Sequence, residues 1–126
     1  MKNKQKHIDH WQKGAENDIE TAGILITNRK YIEGLFFCHL CIEKILKAHV
    51  VKALNKIPPK SHNLEYLKNL TKIETSKEDI LFMAVLMKYQ LEGRYPEYYP
   101  KSPSDKQVKE YFEKSKELLN CLKKKL

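Results

Sequence analysis

The sequence is short of the residues from which several common functional sites are built. Its four glycines do not cluster, so no glycine-rich phosphate loop is present. Three cysteines do not form an even set of disulfide partners, and no Cys-x-x-Cys pair recurs with histidines at zinc-site spacing. Neither a His-Glu-x-x-His motif nor a readable Ser/His/Asp set occurs. We therefore expect neither a metal nor another cofactor.

Long apolar runs are also missing. No segment approaches the roughly 18 apolar residues that a membrane-spanning helix requires. The amino terminus, residues 1–12, is charged and polar rather than apolar like a signal peptide. We therefore expect no membrane span and a cytoplasmic protein.

The charge comes almost entirely from lysine. The net charge is +8, and Arg29 and Arg94 are the only arginines. Lysines gather near both ends, at positions 2, 4 and 6 and at positions 123 to 125. Such groups are typical of solvated, fraying termini. They are equally compatible with attraction to a polyanion such as RNA, or to an acidic protein partner.

Helical spacing dominates the chain and predicts an all-α fold. We expect a single domain, 1–126, with tails at 1–7 and 124–126. Helices are predicted from about Ile8 to Thr27, Tyr31 to Ala53, Leu64 to Thr71, Ser76 to Leu91 and Ser104 to Lys124. Serines 76 and 104 are predicted N-caps, and prolines punctuate the connections. The pattern predicts an up-and-down four-helix bundle with one short extra helix.

The second helix carries a polar line on an otherwise apolar surface. His39, Glu43 and Lys47 follow one another at i, i+4 spacing, and Glu43 precedes Lys47 in the favourable order for an ion pair. The line therefore has two interpretations. It is a structural feature, either an internally paired seam or the exposed edge of the helix, or it is one wall of a polar binding site.

Three other polar residues lie at notable positions. Asp18 falls within the apolar stripe of the first helix, where a carboxylate needs a partner such as Lys44, Lys47 or Arg94. Arg94 and Tyr95 follow the fourth helix; arginine binds phosphate or carboxylate through two donors, and an aromatic ring can stack on a base. Arg94 could instead cap the fourth helix. His62 most simply serves as a cap or loop residue.

Taken in order, these residues resemble the HEPN domain. The resemblance runs from about Ile8 to the end of the chain. It rests on Trp11, Ala15, Asp18 and Ala22, on Phe37-Cys38-His39 followed by Glu43-Lys44 and Lys47-Ala48, and on Pro58-Pro59, His62-x-Leu64 and Gly93-Arg94-Tyr95-Pro96.

The resemblance implies a homodimer whose first two helices line a shared cleft. It also implies a small nucleotidyltransferase as partner in a two-component toxin–antitoxin-like system, with nucleotide or RNA binding. Many HEPN proteins are metal-independent endoribonucleases with an arginine four to six residues before a histidine. Here Arg29 is ten residues from His39, and no histidine follows Arg94. We therefore expect binding rather than cleavage and assign no catalytic residue.

Three functional hypotheses follow. The first is a binding module whose ligand contacts Asp18, His39, Glu43, Lys47, Arg94 and Tyr95. The second is a degenerate endoribonuclease that uses His39 or His62 as a base, with Arg94 stabilising phosphate charge. The third is a purely structural or regulatory subunit.

Overall fold

The computed structural model describes all 126 residues and contains five α-helices and no β-strand. The helices are α1 (Lys4–Thr27), α2 (Tyr31–Leu54), α3 (Leu64–Asn69), α4 (Lys77–Met87) and α5 (Asp105–Lys124), and a single 3₁₀ turn covers Pro96–Tyr98. The prediction of an all-α bundle with one short extra helix is confirmed.

Serine and asparagine side chains begin three of the helices. The Ser76 hydroxyl accepts the amide proton of Asp79 (3.0 Å), and the Ser104 hydroxyl accepts that of Gln107 (3.2 Å). At the start of α3, the side-chain oxygen of Asn63 accepts the amide proton of Tyr66. Each cap satisfies a main-chain donor that a first helical turn leaves without a partner, so both predicted serine caps are confirmed.

Two helix boundaries differ from the sequence-based expectation. Helix α1 begins at Lys4, one turn before Ile8, because the carbonyl of Asn3 already accepts the amide proton of His7. Helix α4 ends at Met87 rather than near Leu91. There the hydrogen bonds tighten to i, i+3 spacing, as in the bond from Tyr89 to the Leu86 carbonyl, which ends regular α-helix.

The central position of α2 explains its composition. Helices α1, α3, α4 and α5 all pack against it, and fourteen of its 24 residues are buried. Helix α1 lies close against it at Gly34, where an added Cβ would lie 2.5 Å from Cγ1 of Ile26. Only glycine allows this approach without displacing α1.

The cysteines divide into two environments. Cys38 and Cys41 lie on α2 in the core, fully buried, whereas Cys121 on α5 is exposed. Burial raises the pKa of the Cys38 thiol to about 12 and raises that of Cys41 well above its ordinary value. The buried pair therefore behaves as small hydrophobic side chains.

No helix of the bundle combines the length and apolar character needed to cross a membrane.

Candidate functional site

A buried carboxylate lies at the middle of α2. Glu43 is only 4% exposed, yet each of its oxygens has a cationic or proton-donating partner. Lys47 Nζ lies 3.0 Å from Oε2, and His62 Nδ1 lies 2.9 Å from Oε1. The predicted Glu43–Lys47 ion pair is thus present. We call His39, Glu43, Lys47 and His62 the Glu43 cluster.

His39 is fully buried and its hydrogen bonding defines its tautomer. Its Nε2 lies 2.9 Å from the main-chain oxygen of His62; because a carbonyl only accepts, Nε2 carries the proton and donates. Burial lowers the pKa of the ring, although the nearby Glu43 carboxylate acts in the opposite direction. Nδ1 then presents a lone pair 3.9 Å from Glu43 Oε1, without a hydrogen bond. His39 therefore anchors the segment that carries His62.

Lys47 is held on two sides. It is 6% exposed and, besides its bond to Glu43, its ammonium group lies 5.3 Å from the centre of the Trp11 ring on α1. An ammonium group over an indole face is attracted by the ring quadrupole. This contact ties the polar line of α2 to the first turns of α1.

His62 connects the buried cluster to the surface. Its Nδ1 faces Glu43, and its Nε2 lies 3.0 Å from Oε2 of Glu92, which is largely exposed. A ring that donates at both nitrogens is an imidazolium, so the two contacts are satisfied together only in the protonated form. His62 thus bridges α2 and the segment that follows α4.

Asp18 forms a separate pair. It is 2% exposed, and Lys44 Nζ lies 2.8 Å from its Oδ2. Burial nevertheless raises the pKa of the Asp18 carboxyl, because the loss of hydration outweighs the stabilisation from Lys44. Of the three partners considered for Asp18, Lys44 is the one observed.

Arg94 is exposed and binds main-chain oxygens. Its Nη1 lies 3.3 and 3.4 Å from the carbonyls of Lys88 and Gln90, and its Nη2 donates to the carbonyl of Tyr98. The guanidinium therefore caps the end of α4 and fastens it to the 3₁₀ turn. No hydrogen bond or ion pair joins Arg94 to a histidine or to Asp18 or Glu43. Tyr95, beside it, is 70% exposed.

The structure therefore brings together some predicted site residues and separates others. His39, Glu43 and Lys47 form one network, whereas Asp18 pairs independently on the α1 side of α2. Arg94 and Tyr95 have no hydrogen bond or ion pair with this network; the nearest link in the chain is Glu92, two residues before Arg94, which contacts His62. None of these six residues lines any of the five principal cavities of the chain.

The roles of two residues were not identified from the sequence. His62 was considered as a cap or loop residue and as the base of a degenerate endoribonuclease, but not as a partner of Glu43, and Glu92 was not singled out. The proline pair before His62 was the available signal, because prolines prevent the chain from continuing as helix beyond this point, although α2 already ends at Leu54 with Asn55 in the left-handed conformation. Nothing local to Glu92 indicates its contact with His62.

Comparison with known proteins agrees with this architecture. Residues 8–126 match the HEPN domain family. The crystal structure of an archaeal HEPN homologue superposes with a TM-score of 0.62 at 19% sequence identity, covering 94% of this chain and 96% of that one. At this identity the structural likeness speaks for the fold alone. None of the curated proteins matches the sequence. Because the family match covers nearly the whole chain, the protein belongs to the HEPN family.

Proposed function

We propose that the protein is a HEPN binding module without a catalytic role, and that it binds a nucleotide or RNA beside the Glu43 cluster. The ligand lies over the segment from Glu92 to Tyr98. The module is a homodimer, and its protein partner is a small nucleotidyltransferase in a toxin–antitoxin-like pair.

The contact between His62 and Glu92 carries this proposal. It couples a buried charged network to a surface that presents Arg94, Tyr95 and Tyr98, the last 66% exposed. The guanidinium has five N–H donors, and its contacts with three carbonyls leave some of them for a phosphate oxygen. The tyrosine rings offer open faces for a base to stack upon.

The contacts made by His39 and Arg94 favour binding over cleavage. A ribonuclease of the kind considered above needs a histidine base and an arginine at one phosphate. Here the Nε2 proton of His39 is used in a main-chain hydrogen bond, and Arg94 bonds to carbonyls on another segment. No observation specifically favours the degenerate endoribonuclease.

A second candidate function has an observation in its favour. The buried carboxylates already have partners within the chain, Lys44 for Asp18 and Lys47 with His62 for Glu43. Such internal pairing is what a purely regulatory subunit would require, with all recognition of small molecules residing in the partner protein.

Calorimetric titration with ATP, GTP and a short single-stranded RNA distinguishes these two functions. We expect binding of at least one of the three ligands, weakened about tenfold in Arg94→Ala and in Tyr95→Ala through loss of a phosphate contact or a stacked base. Arg29→Ala and Tyr66→Ala are the matched controls, since both residues are exposed and outside the segment. Absence of binding, or equal affinity in the Arg94 variant and its control, contradicts the small-ligand proposal and supports the regulatory subunit.

The assembly is tested separately. Light scattering during size-exclusion chromatography should give twice the 14.9 kDa chain mass. Purification of the tagged protein from its native host should recover a nucleotidyltransferase. A monomeric mass at micromolar concentration contradicts the homodimer, and recovery of the protein alone contradicts the partnership.

A further inference from the structure

Lysines from four distant parts of the chain meet at one end of the bundle. Helix α1 begins there, α2 and α5 end there, and the turn after α3 packs beside them. The residues concerned, which we call the lysine pole, are Lys4, Lys52, Lys72, Lys123 and Lys125.

The lysine pole is concave. Lys52, Lys72 and Lys125 line one depression of about 420 Å³ together with His49 and the turn residues 71–74. Lys4, Lys52 and Lys123 line a second depression of about 570 Å³. Because Lys52 lines both depressions, the two lie side by side, one towards the start of α1 and the other towards the turn after α3.

Positive charge at the pole is largely uncompensated. Of the five lysines, Lys123 alone is paired with a side-chain carboxylate, with its Nζ 3.0 Å from Oε2 of Glu16. Lys52 donates to the main-chain oxygens of Lys125 and Leu126, and Lys125 donates to that of Glu74. These bonds position the ammonium groups at the ends of α2 and α5. Glu74 is the only carboxylate-bearing side chain among the lining residues.

The lining also excludes two kinds of recognition. No phenylalanine, tyrosine or tryptophan lines either depression, and the His49 ring is buried and bonded to the Leu122 carbonyl, so there is no open ring face on which a base could stack. Apolar lining is limited to Ile8, Ala53, Ile73 and Leu126, which gives a protein partner few anchors of the kind that dominate protein interfaces. Lysine ammonium groups spread over two neighbouring depressions suit a chain with regularly repeated negative charge.

We propose that the lysine pole binds a chain of phosphate groups, either a nucleic-acid backbone or inorganic polyphosphate, without reading sequence. The pole is separate from the Glu43 cluster and from Arg94, and this binding does not depend on the function proposed above.

The test uses the full chain, a fluorescently labelled mixed-sequence 12-nucleotide RNA, and polarisation measured over a range of salt concentrations. The Lys4→Gln/Lys72→Gln double variant removes two charges that form no recorded intramolecular hydrogen bond or ion pair, so the fold should be unaffected. Lys101→Gln/Lys106→Gln is the control, because it removes the same charge from exposed positions elsewhere.

We expect the pole variant to bind about tenfold more weakly near 0.1 M salt, with the control close to wild type. The slope of log affinity against log salt should fall by about 1.4 in magnitude, since each lost contact to a single strand contributes about 0.7. Unlabelled RNA of another sequence should compete equally well.

Competition identifies the source of the phosphate chain. Displacement of RNA by polyphosphate at equal phosphate concentration supports a general phosphate-chain site. Binding of RNA without displacement supports a nucleic-acid backbone, and binding of labelled polyphosphate without RNA supports polyphosphate; in both cases the Lys4/Lys72 dependence is required. Displacement by polyglutamate as effectively as by polyphosphate overturns the proposal in favour of an acidic protein.

Two further results separate this inference from the proposed function. Equal weakening in the pole and control variants overturns the lysine pole, because general charge would then explain binding. RNA binding that depends on Arg94 and Tyr95 but not on Lys4 and Lys72 overturns the pole and leaves the proposed function standing. The reverse dependence supports the pole and contradicts RNA binding over the segment from Glu92 to Tyr98.

Discussion

The Glu43 cluster and the lysine pole both gather charged groups from distant segments, but they treat those charges in opposite ways. Inside the bundle, Lys47 lies 3.0 Å from a carboxylate oxygen, and Glu43 has a partner on each oxygen. At the pole, four of the five lysines have no side-chain carboxylate as a partner. Burial makes an unpaired charge costly, whereas water stabilises one at the surface. The cluster therefore contributes to the fold, and the pole leaves its charge available to an external ligand.

The largest effect should come from breaking the cluster. Glu43→Gln leaves the Lys47 ammonium group buried without a counter-charge, and we expect the free energy of unfolding in urea to fall by about 3 kcal/mol. Glu92→Gln is the control, since that side chain is 61% exposed and its ion pair with His62 should contribute less than about 1 kcal/mol. Similar losses in the two variants would show that the cluster is no more stabilising than a surface pair.

The next largest loss of stability should come from overpacking the contact between α1 and α2 at Gly34. In Gly34→Ala the new Cβ would meet Ile26 at 2.5 Å, and we expect a loss of about 2 kcal/mol in urea unfolding from overpacking. Gly14→Ala is the matched helical control. Its Cβ would meet Cδ of Lys44 at 3.0 Å, a methylene that can shift slightly while the ammonium group keeps its ion pair with Asp18, so improved helix propensity should leave stability unchanged or raised by up to about 1 kcal/mol. A destabilised Gly14 variant and a neutral Gly34 variant would reverse this interpretation.

His49, which lines one of the two depressions at the lysine pole, should make the free energy of unfolding depend on pH. Burial lowers the pKa of its ring, and Lys52 and Lys125 lower it further, although its hydrogen bond to the Leu122 carbonyl acts in the opposite direction. The unfolded ring, with a pKa of about 6.5, then binds a proton more readily than the folded one. Its contribution is therefore fully present above about pH 6.5 and is lost as the pH falls towards the lower folded pKa.

The comparison of wild type with His49→Gln isolates this contribution, because glutamine can still donate to Leu122. Urea midpoints measured at pH 7.5 and 5.5 should fall more steeply in the wild type than in the variant. Parallel changes in the two proteins would assign the pH dependence to other groups. Asp18 acts with the opposite sign: its raised pKa favours the folded state below the unfolded pKa of about 3.8, and this advantage is lost as the pH rises through the folded pKa.

The smallest effects should come from the lysines of the pole. Lys52→Gln loses two hydrogen bonds to the end of α5, and we expect thermal unfolding to show a loss of about 0.5–1 kcal/mol. Lys72→Gln loses none and should lie within about 0.5 kcal/mol of wild type. If Lys72→Gln were the more destabilising of the two, the distinction between positioned and free lysines within the pole would be wrong.

Features governed by neighbouring residues were predictable from the sequence. The serine caps of α4 and α5 and the Glu43–Lys47 pair depend on spacings of three and four residues, which helical geometry alone determines. The otherwise apolar surface of α2, visible in the sequence, fits its central position in the bundle.

Features governed by packing between helices were not predictable to the same depth. Which cation pairs with Asp18 depends on the rotation of α1 against α2, so Lys44 could not be chosen over its alternatives from the sequence. The position of His62 depends on the path of residues 55–63. The lysine pole combines residues up to 121 positions apart, and the sequence indicated only that lysines gather near both ends.

The two cysteine environments also make this chain convenient to label. A maleimide reacts with a thiolate, and the raised pKa and complete burial of Cys38 and Cys41 suppress that form and its access to reagent. Cys121 alone is exposed, so a single dye can be attached to α5 of the unaltered protein. Energy transfer between donor- and acceptor-labelled chains would then measure the distance across a homodimer without an engineered cysteine.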